Sequence, residues 1–455
     1  MLIPTYFVPG LGQGMTIALV AVIHVLLSHG FAIGIVSMIV FLEAIGLRRD
    51  DPALVDFGRH MLKPAVIIIT AVGAVTGTGI WFTLSAVAPT AIGSLLRVFF
   101  WPWFTEWLAF TAEVVILMFY YFLWERMIVS RPRGHLALGF AYVVVALISA
   151  TLISGILGFM LTPDGWVQDH KLFSGFFNPT FWPMVILRIF GGLCLGGVFS
   201  LAFVLFSRWS ESVLRRWIAR ICGLWILVTG VLCALAVWWY FARVPATYAT
   251  HKIFSVLTSN WAHQPELFTI GNVILVAIIA LGALVALIGR TGAARALVIP
   301  TLIASVLLVT EYERIREFVR GPYLMPGYMY ASQVTLTESF YNRDHGMLRQ
   351  AGWVTAQPAD LSPRAPAGHA LFMANCAMCH SIGGINDIRD RVRGRTQPSV
   401  GVIVRNTEQM IPFMPTFAGT DTEALTLAAY LYELVGSRRS IDAVAPISRK
   451  GAERE

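Results

Sequence analysis

Ala21-Val22-Ile23-His24-Val25-Leu26-Leu27 lies inside an apolar run over residues 15–46 that carries no turn signal. A run this long crosses a bilayer as a helix, because in lipid each backbone N–H and C=O must find its partner within the segment. Seven further apolar runs follow, at residues 64–88, 103–124, 137–161, 183–207, 218–242, 267–289 and 296–313. The whole chain of 455 residues is 56% hydrophobic and 13% charged, with mean hydropathy +0.68. No soluble fold needs that much apolar surface. The predicted class is all-α: a polytopic transmembrane bundle of about eight helices, followed by a small α-helical domain at the C-terminus. No basic region or small-residue cleavage site precedes the first run, so it is expected to stay as a membrane helix.

The net charge of +8 does not point to nucleic acid, because the basic residues sit in short loops between spans. Arg48, Arg49, Arg59, Lys63, Arg126, Arg131, Arg133, Arg208, Arg215, Arg216, Arg220, Arg290 and Arg295 fall on one side, thirteen in all; Arg97, Lys171, Arg243 and Lys252 fall on the other. Basic loops stay in the cytoplasm, so both ends of the bundle are predicted outside it.

After residue 318 the composition changes. Gly321-Pro322-Tyr323, Met325-Pro326-Gly327 and the Pro-rich stretch Gln357–Pro366 read as an external segment leading into a linker. Beyond it stands Cys376-Ala377-Met378-Cys379-His380, the attachment signature of c-type haem. Each thiol adds to one vinyl group on the same porphyrin edge, and the adjoining histidine brings an imidazole beneath the iron. Covalent haem c is thus expected on Cys376 and Cys379, with His380 as an iron ligand. Its external location agrees with the charge pattern. Cys194, Cys222 and Cys233 sit inside apolar runs and read as core residues.

Ionisable residues within spans are costly and mark function by default. His24 and His29 share the first span, and either imidazole can ligate haem iron, His24 being the stronger candidate. Glu106 and Glu113, seven residues apart, share one helix face, where they can pass protons, hold a metal or simply bond neighbouring helices. Glu311-Tyr312-Glu313-Arg314 closes the last span. Gly73/Gly77 and Gly192/Gly196 allow close approach of a helix or a porphyrin.

Two resemblances follow. The order CxxCH, then Met410-Ile411-Pro412-Phe413-Met414-Pro415-Thr416-Phe417, then a helix over Thr422–Leu434, resembles class I cytochromes c. It implies Met414 as the sixth ligand, with Met410 the lesser candidate. Residues 15–320 resemble subunit I of the cytochrome bd quinol oxidases, through Ala21–Leu27, Gly73-Ala74-Val75-Thr76-Gly77, Glu113 with Trp124-Glu125-Arg126, Ser149-Ala150, Gly158-Phe159-Met160, Asn178-Pro179 and Glu311-Tyr312-Glu313-Arg314. Glu106 stands one residue off the family's first carboxylate. This resemblance implies that His24 ligates an active-site haem and Glu311 a high-spin haem b. It also implies that Glu106 and Glu113 relay protons or steady the catalytic haem, and that Arg314 pairs with a propionate.

The departures from that family are informative. Where it carries a histidine for the low-spin haem, this chain reads Ile186-Leu187-Arg188-Ile189, and Gly271–Arg290 holds no methionine. The quinol loop is cut to residues 243–265, with Lys252 retained and Leu257 or Thr258 where a glutamate is expected. A chain that lacks the quinol-side haem and carries an external cytochrome c has changed its electron donor.

The expectation is therefore a membrane oxidase reducing dioxygen or a related small oxidant, with electrons entering through haem c. Its non-covalent haems would be two, b and/or d, which residues alone do not distinguish. Its organisation is expected as a membrane haem domain (1–320), an external segment and linker (321–366), a cytochrome c domain (367–437) and a polar tail (438–455). The bilayer is that of a bacterial inner membrane, with the cytochrome c domain periplasmic. Partners are an external cytochrome c or other donor, and a second bd-like subunit or another copy. A second reading is an electron-transfer cytochrome joining a quinone pool to external cytochromes without oxygen chemistry. A third is an anchor that only displays a cytochrome c.

Overall fold

The computed structural model describes residues 3–207, 212–249, 265–351, 366–411 and 413–442. The retained loop Lys252, Leu257 and Thr258, Pro412 and the end of the tail lie outside these residues, as does the linker up to residue 365. The chain divides into two units: residues 1–16, 86–90 and 321–455 form one, and 17–85 with 91–320 the other.

The larger unit is built on eight helices long and apolar enough to cross a membrane. These are α1 (Gly12–Arg49), α2 (Pro52–Val87), α3 (Phe100–Phe122), α4 (Pro132–Phe159), α5 (Phe181–Phe206), α6 (Ser212–Arg243), α7 (Pro265–Ile288) and α8 (Thr291–Phe318). Several boundaries reach beyond the apolar runs. Asp51 caps α2 by accepting from the Leu54 N–H, with Pro52 in the first turn. That cap sets the helix start well before its apolar stretch. Two wider π-turns interrupt α1 at Ser28–Ile35 and α2 at Ile68–Gly73.

Packing in the bundle relies on small residues, since lipid offers no hydrophobic drive for helices to associate. A Cβ added at Gly34 would meet the Gly192 carbonyl oxygen at 2.3 Å, and one at Gly196 would meet Gly34 Cα at 2.2 Å. The backbones of α1 and α5 therefore touch, which is the helix-packing use of Gly192 and Gly196. The core joins Met38, Ile39, Leu42, Leu54, Met61 and Leu117 with Val198, Leu201, Leu205, Ile218 and Cys222. Cys222 is buried in this core, where the sequence placed it.

The smaller unit is also helical, with α9 (Leu336–His345), α10 (Pro366–Asn375), α11 (Ile388–Val392), α12 (Gln397–Arg405), α13 (Thr407–Met410) and α14 (Asp421–Asp442), and one hairpin, β1 (Tyr323–Met325) with β2 (Met329–Tyr330). Thr335 and Glu338 close the start of α9 as a capping box. Leu371, Phe372, Val400, Val404, Leu427 and Leu431 form its core. Helices α10 and α14 cross closely, since a Cβ at Gly368 would meet Tyr430 Cβ at 2.6 Å.

An N-terminal strap completes this unit. Gln13 and Gly14 donate to the carbonyls of Ala377 and Met378 at 2.9 Å each, while Ile382 and Ile385 donate to Pro9 and Gly10 at 2.8 and 3.0 Å. The strap thus holds the CxxCH loop on both flanks. Nothing in its own composition announces that partner.

Candidate functional site

In the smaller unit the CxxCH loop leaves α10 as a tight turn, Cys379 and His380 both donating from their backbone N–H to the Cys376 carbonyl. Neither Cys376 nor Cys379 is in a disulfide. His380 is buried, and its ring makes one hydrogen bond, from Nδ1 to the Asn386 carbonyl at 3.3 Å. That bond orients the ring and leaves Nε2 without a protein partner, the arrangement a metal-ligating imidazole requires. Asn386 adopts φ 55° and donates from Nδ2 to the Cys379 carbonyl at 2.7 Å, while Arg391 grips its Oδ1 at 3.0 Å. Burial pushes the Cys376 thiol up to about 12 and the His380 imidazole down to about 4, so His380 is neutral at ordinary pH. Met414 is half-buried in the loop before α14, and Met410 is 53% exposed at the end of α13. Two cysteines outside any disulfide and an oriented neutral imidazole make a donor set that fits covalent haem.

In the bundle, His24 lies half-buried with Nδ1 3.2 Å from Thr76 Oγ1. Its ring rests on Gly77, where a Cβ would come within 3.2 Å of Cε1. This is the close approach that Gly77 permits, and it serves an imidazole. His29 is buried with Nδ1 3.0 Å from Ser28 Oγ, and its Nε2 lies 3.3 Å from Arg188 Nη1. Glu106 accepts from Ser149 at 3.0 Å, and Glu113, buried, accepts from Tyr142 at 2.9 Å. The two carboxylates share the α3 face and each meets α4.

Glu311 has one carboxylate oxygen, Oε1, 3.9 Å from Arg314 Nη1, and the other, Oε2, is buried with no hydrogen-bond partner. Among the described residues no three His, Cys, Asp or Glu side chains converge as a metal cage. An iron porphyrin needs none, because the macrocycle supplies four ligands and the protein one or two. His24, with no side chain on Nε2 among the described residues, and the orphaned Glu311 Oε2 fit that requirement.

Three features escaped the sequence reading. Glu43, fully buried in α1, accepts from Tyr120 Oη at 2.5 Å and lies 2.7 Å from His135 Nδ1, whose Nε2 donates to the Tyr120 carbonyl at 2.9 Å. A glutamate near the end of one span and a histidine opening another give no spacing signal. Asn386 lacked one as well. Arg188 was legible only as a missing histidine.

An eight-helix bundle that seals histidine, glutamate and arginine inside an apolar shell is a polytopic membrane protein with a polar, cofactor-ready centre. The model of the family described as cytochrome bd terminal oxidase subunit I matches residues 14–253, and the chain belongs to that family. It is accordingly a multi-pass, terminal-oxidase-like haem protein and an oxidoreductase, and family membership implies haem b or d. Among solved structures, the bd oxidase from Geobacillus thermodenitrificans aligns with TM-score 0.59 at 18% identity, covering 71% of this chain and 90% of that one. That likeness speaks for the fold. Among curated proteins none matches.

Proposed function

We propose that this chain reduces dioxygen, or a related small oxidant, with electrons that enter through a haem c on the smaller unit and not from quinol. The CxxCH loop carries this reading: its two cysteines are in no disulfide, and His380 is neutral, buried and held through Nδ1. Met414, better shielded than Met410, is the sixth ligand in this reading. A histidine–methionine pair suits a haem whose task is electron transfer.

In the bundle, His24 would hold the catalytic haem and Glu311 a neighbouring high-spin haem. Such haems supply the site where oxidant binds and receives electrons. The protein's own part is orientation and proton supply. Thr76 and Gly77 fix the His24 ring. Glu113 and Glu106, hydrogen-bonded to Tyr142 and Ser149, would hand protons along the α3–α4 face. Arg314 would neutralise a propionate beside Glu311. The donor would be an external cytochrome c or similar carrier on the periplasmic face of a bacterial inner membrane, and a second bd-like subunit or another copy would complete the assembly.

The test is spectroscopic, then kinetic. Reduced-minus-oxidised and CO-difference spectra of purified protein should show covalent haem c and a CO-reactive, extractable haem. Reduced cytochrome c should drive oxygen uptake, and quinol should not. Quinol-driven reduction of haem c without oxygen uptake would favour the electron-transfer reading. Covalent haem alone would leave only the anchor.

A further inference from the structure

Arg188 on α5 is 7% exposed, and no ion pair among the described residues includes it. Its Nη1 approaches His29 at 3.3 Å, and its Nε is buried with no partner. An uncompensated guanidinium within a membrane span is costly. The carboxylates of α8 each have an arginine of their own: Glu311 with Arg314 at 3.9 Å, Glu313 with Arg316 at 2.9 Å and Glu317 with Arg320 at 3.0 Å. Arg188 is thus left without a carboxylate partner among the described residues.

Two hydroxyls converge on the same charge. Tyr240 on α6 is 1% exposed, and both its hydroxyl and that of Tyr312 on α8 are buried without a hydrogen-bond partner. Their rings meet edge to face at 5.9 Å, and each lies within electrostatic reach of Arg188. His24 does too. Three helices thus bring a lone cation and two unused O–H donors within electrostatic reach of one another and of the candidate haem ligand. Buried donors left open in this way need an acceptor. The set contains donors only and one net positive charge.

We propose that Arg188, Tyr240 and Tyr312 form a receptor for an oxyanion, the chemistry shared by a porphyrin carboxylate and a lipid phosphate. Arg188 lies within Ile186-Leu187-Arg188-Ile189, the stretch where the family resemblance leads one to expect an imidazole. The porphyrin source, and covalent haem as the standard of the experiment, rest on the function proposed above.

The experiment uses the full chain with Tyr240→Phe, Tyr312→Phe, Arg188→Met and Arg188→Lys. The phenylalanine variants keep the ring and its packing, so they test the site even where Arg188→Met fails to fold. Covalent haem serves as the internal standard for intact protein. Non-covalent haem per covalent haem, its midpoint potential and retained phospholipid phosphorus are measured together. Each lost charge-assisted hydrogen bond should weaken retention about ten- to hundredfold, with Arg188→Lys intermediate. Loss of haem, or a shifted potential, identifies the carboxylate source; loss of phosphorus with haem unchanged identifies the phosphate source. Wild-type haem content, potential and phosphorus in both phenylalanine variants would overturn the proposal. Wild-type protein without extractable haem would instead overturn the function proposed above, and leave the phosphorus measurement to decide this one.

Discussion

A histidine inside lipid has two ring nitrogens to satisfy, and three histidines in the bundle meet that demand differently. His135 is closed on both sides, by Glu43 and by the Tyr120 carbonyl. His29 is also closed, by Ser28 and Arg188. His24 has Thr76 on Nδ1 and a backbone hydrogen bond to Gly73, and among the described residues no side chain bonds its Nε2. The ranking of His24 over His29, made from the residues alone, has this difference in its favour. His24→Ala should abolish the CO-difference signal while covalent haem stays at wild-type level, and His29→Ala should retain it. The inverse pattern would move the ligand to His29. In the smaller unit, Met414→Ala should lower the haem c midpoint potential without loss of attachment, and Met410→Ala should leave it unchanged. A potential that moves only with Met410 would reassign the ligand.

At the scale of elements, the spans were readable because each run of apolar residues outlasts the thickness of a bilayer. Their ends were not. The first turns of α2 carry Asp56, Arg59 and Lys63, polar enough to hide a helix that Asp51 nonetheless caps. Nor does sequence reveal a π-turn, which depends on what the neighbouring helix demands. The glycine pair was legible as close packing, but its partner was not. Since a Cβ on Gly196 would lie 2.2 Å from Gly34 Cα, Gly196→Ala should force α1 and α5 apart. Overpacking of this kind costs about 1–3 kcal/mol, sometimes more. Thermal unfolding should show the loss, with non-covalent haem released at lower temperature than covalent haem unfolds. The strap offers the matching experiment in the smaller unit. A Cβ on Gly384 would lie 1.9 Å from the Gly10 carbonyl oxygen. Gly384→Ala should therefore destabilise the CxxCH loop by a similar amount, read from denaturant titration of the haem c absorbance.

For the whole molecule, the strap sets a condition on topology that charge counting does not. Residues 9–14, which lead into and open α1, and residues 377–385, which follow the last span, are joined by backbone hydrogen bonds. Both must lie on the same side of the membrane, so the number of spans is even. Residues 86–90, at the end of α2, belong to the same unit, and two spans also return the chain to its starting side. Eight helices satisfy both conditions. The excess of thirteen basic loop residues over four then predicts that side to lie outside the cytoplasm. A cysteine placed at Asp169, which is fully solvent-exposed between α4 and α5, should react with a membrane-impermeant maleimide in intact cells. One placed at Arg131, exposed between α3 and α4, should react only after lysis. Cys194, Cys222 and Cys233, set within spans, should give little background. Labelling in the opposite order would put the CxxCH loop in the cytoplasm, where an external carrier could not reach it.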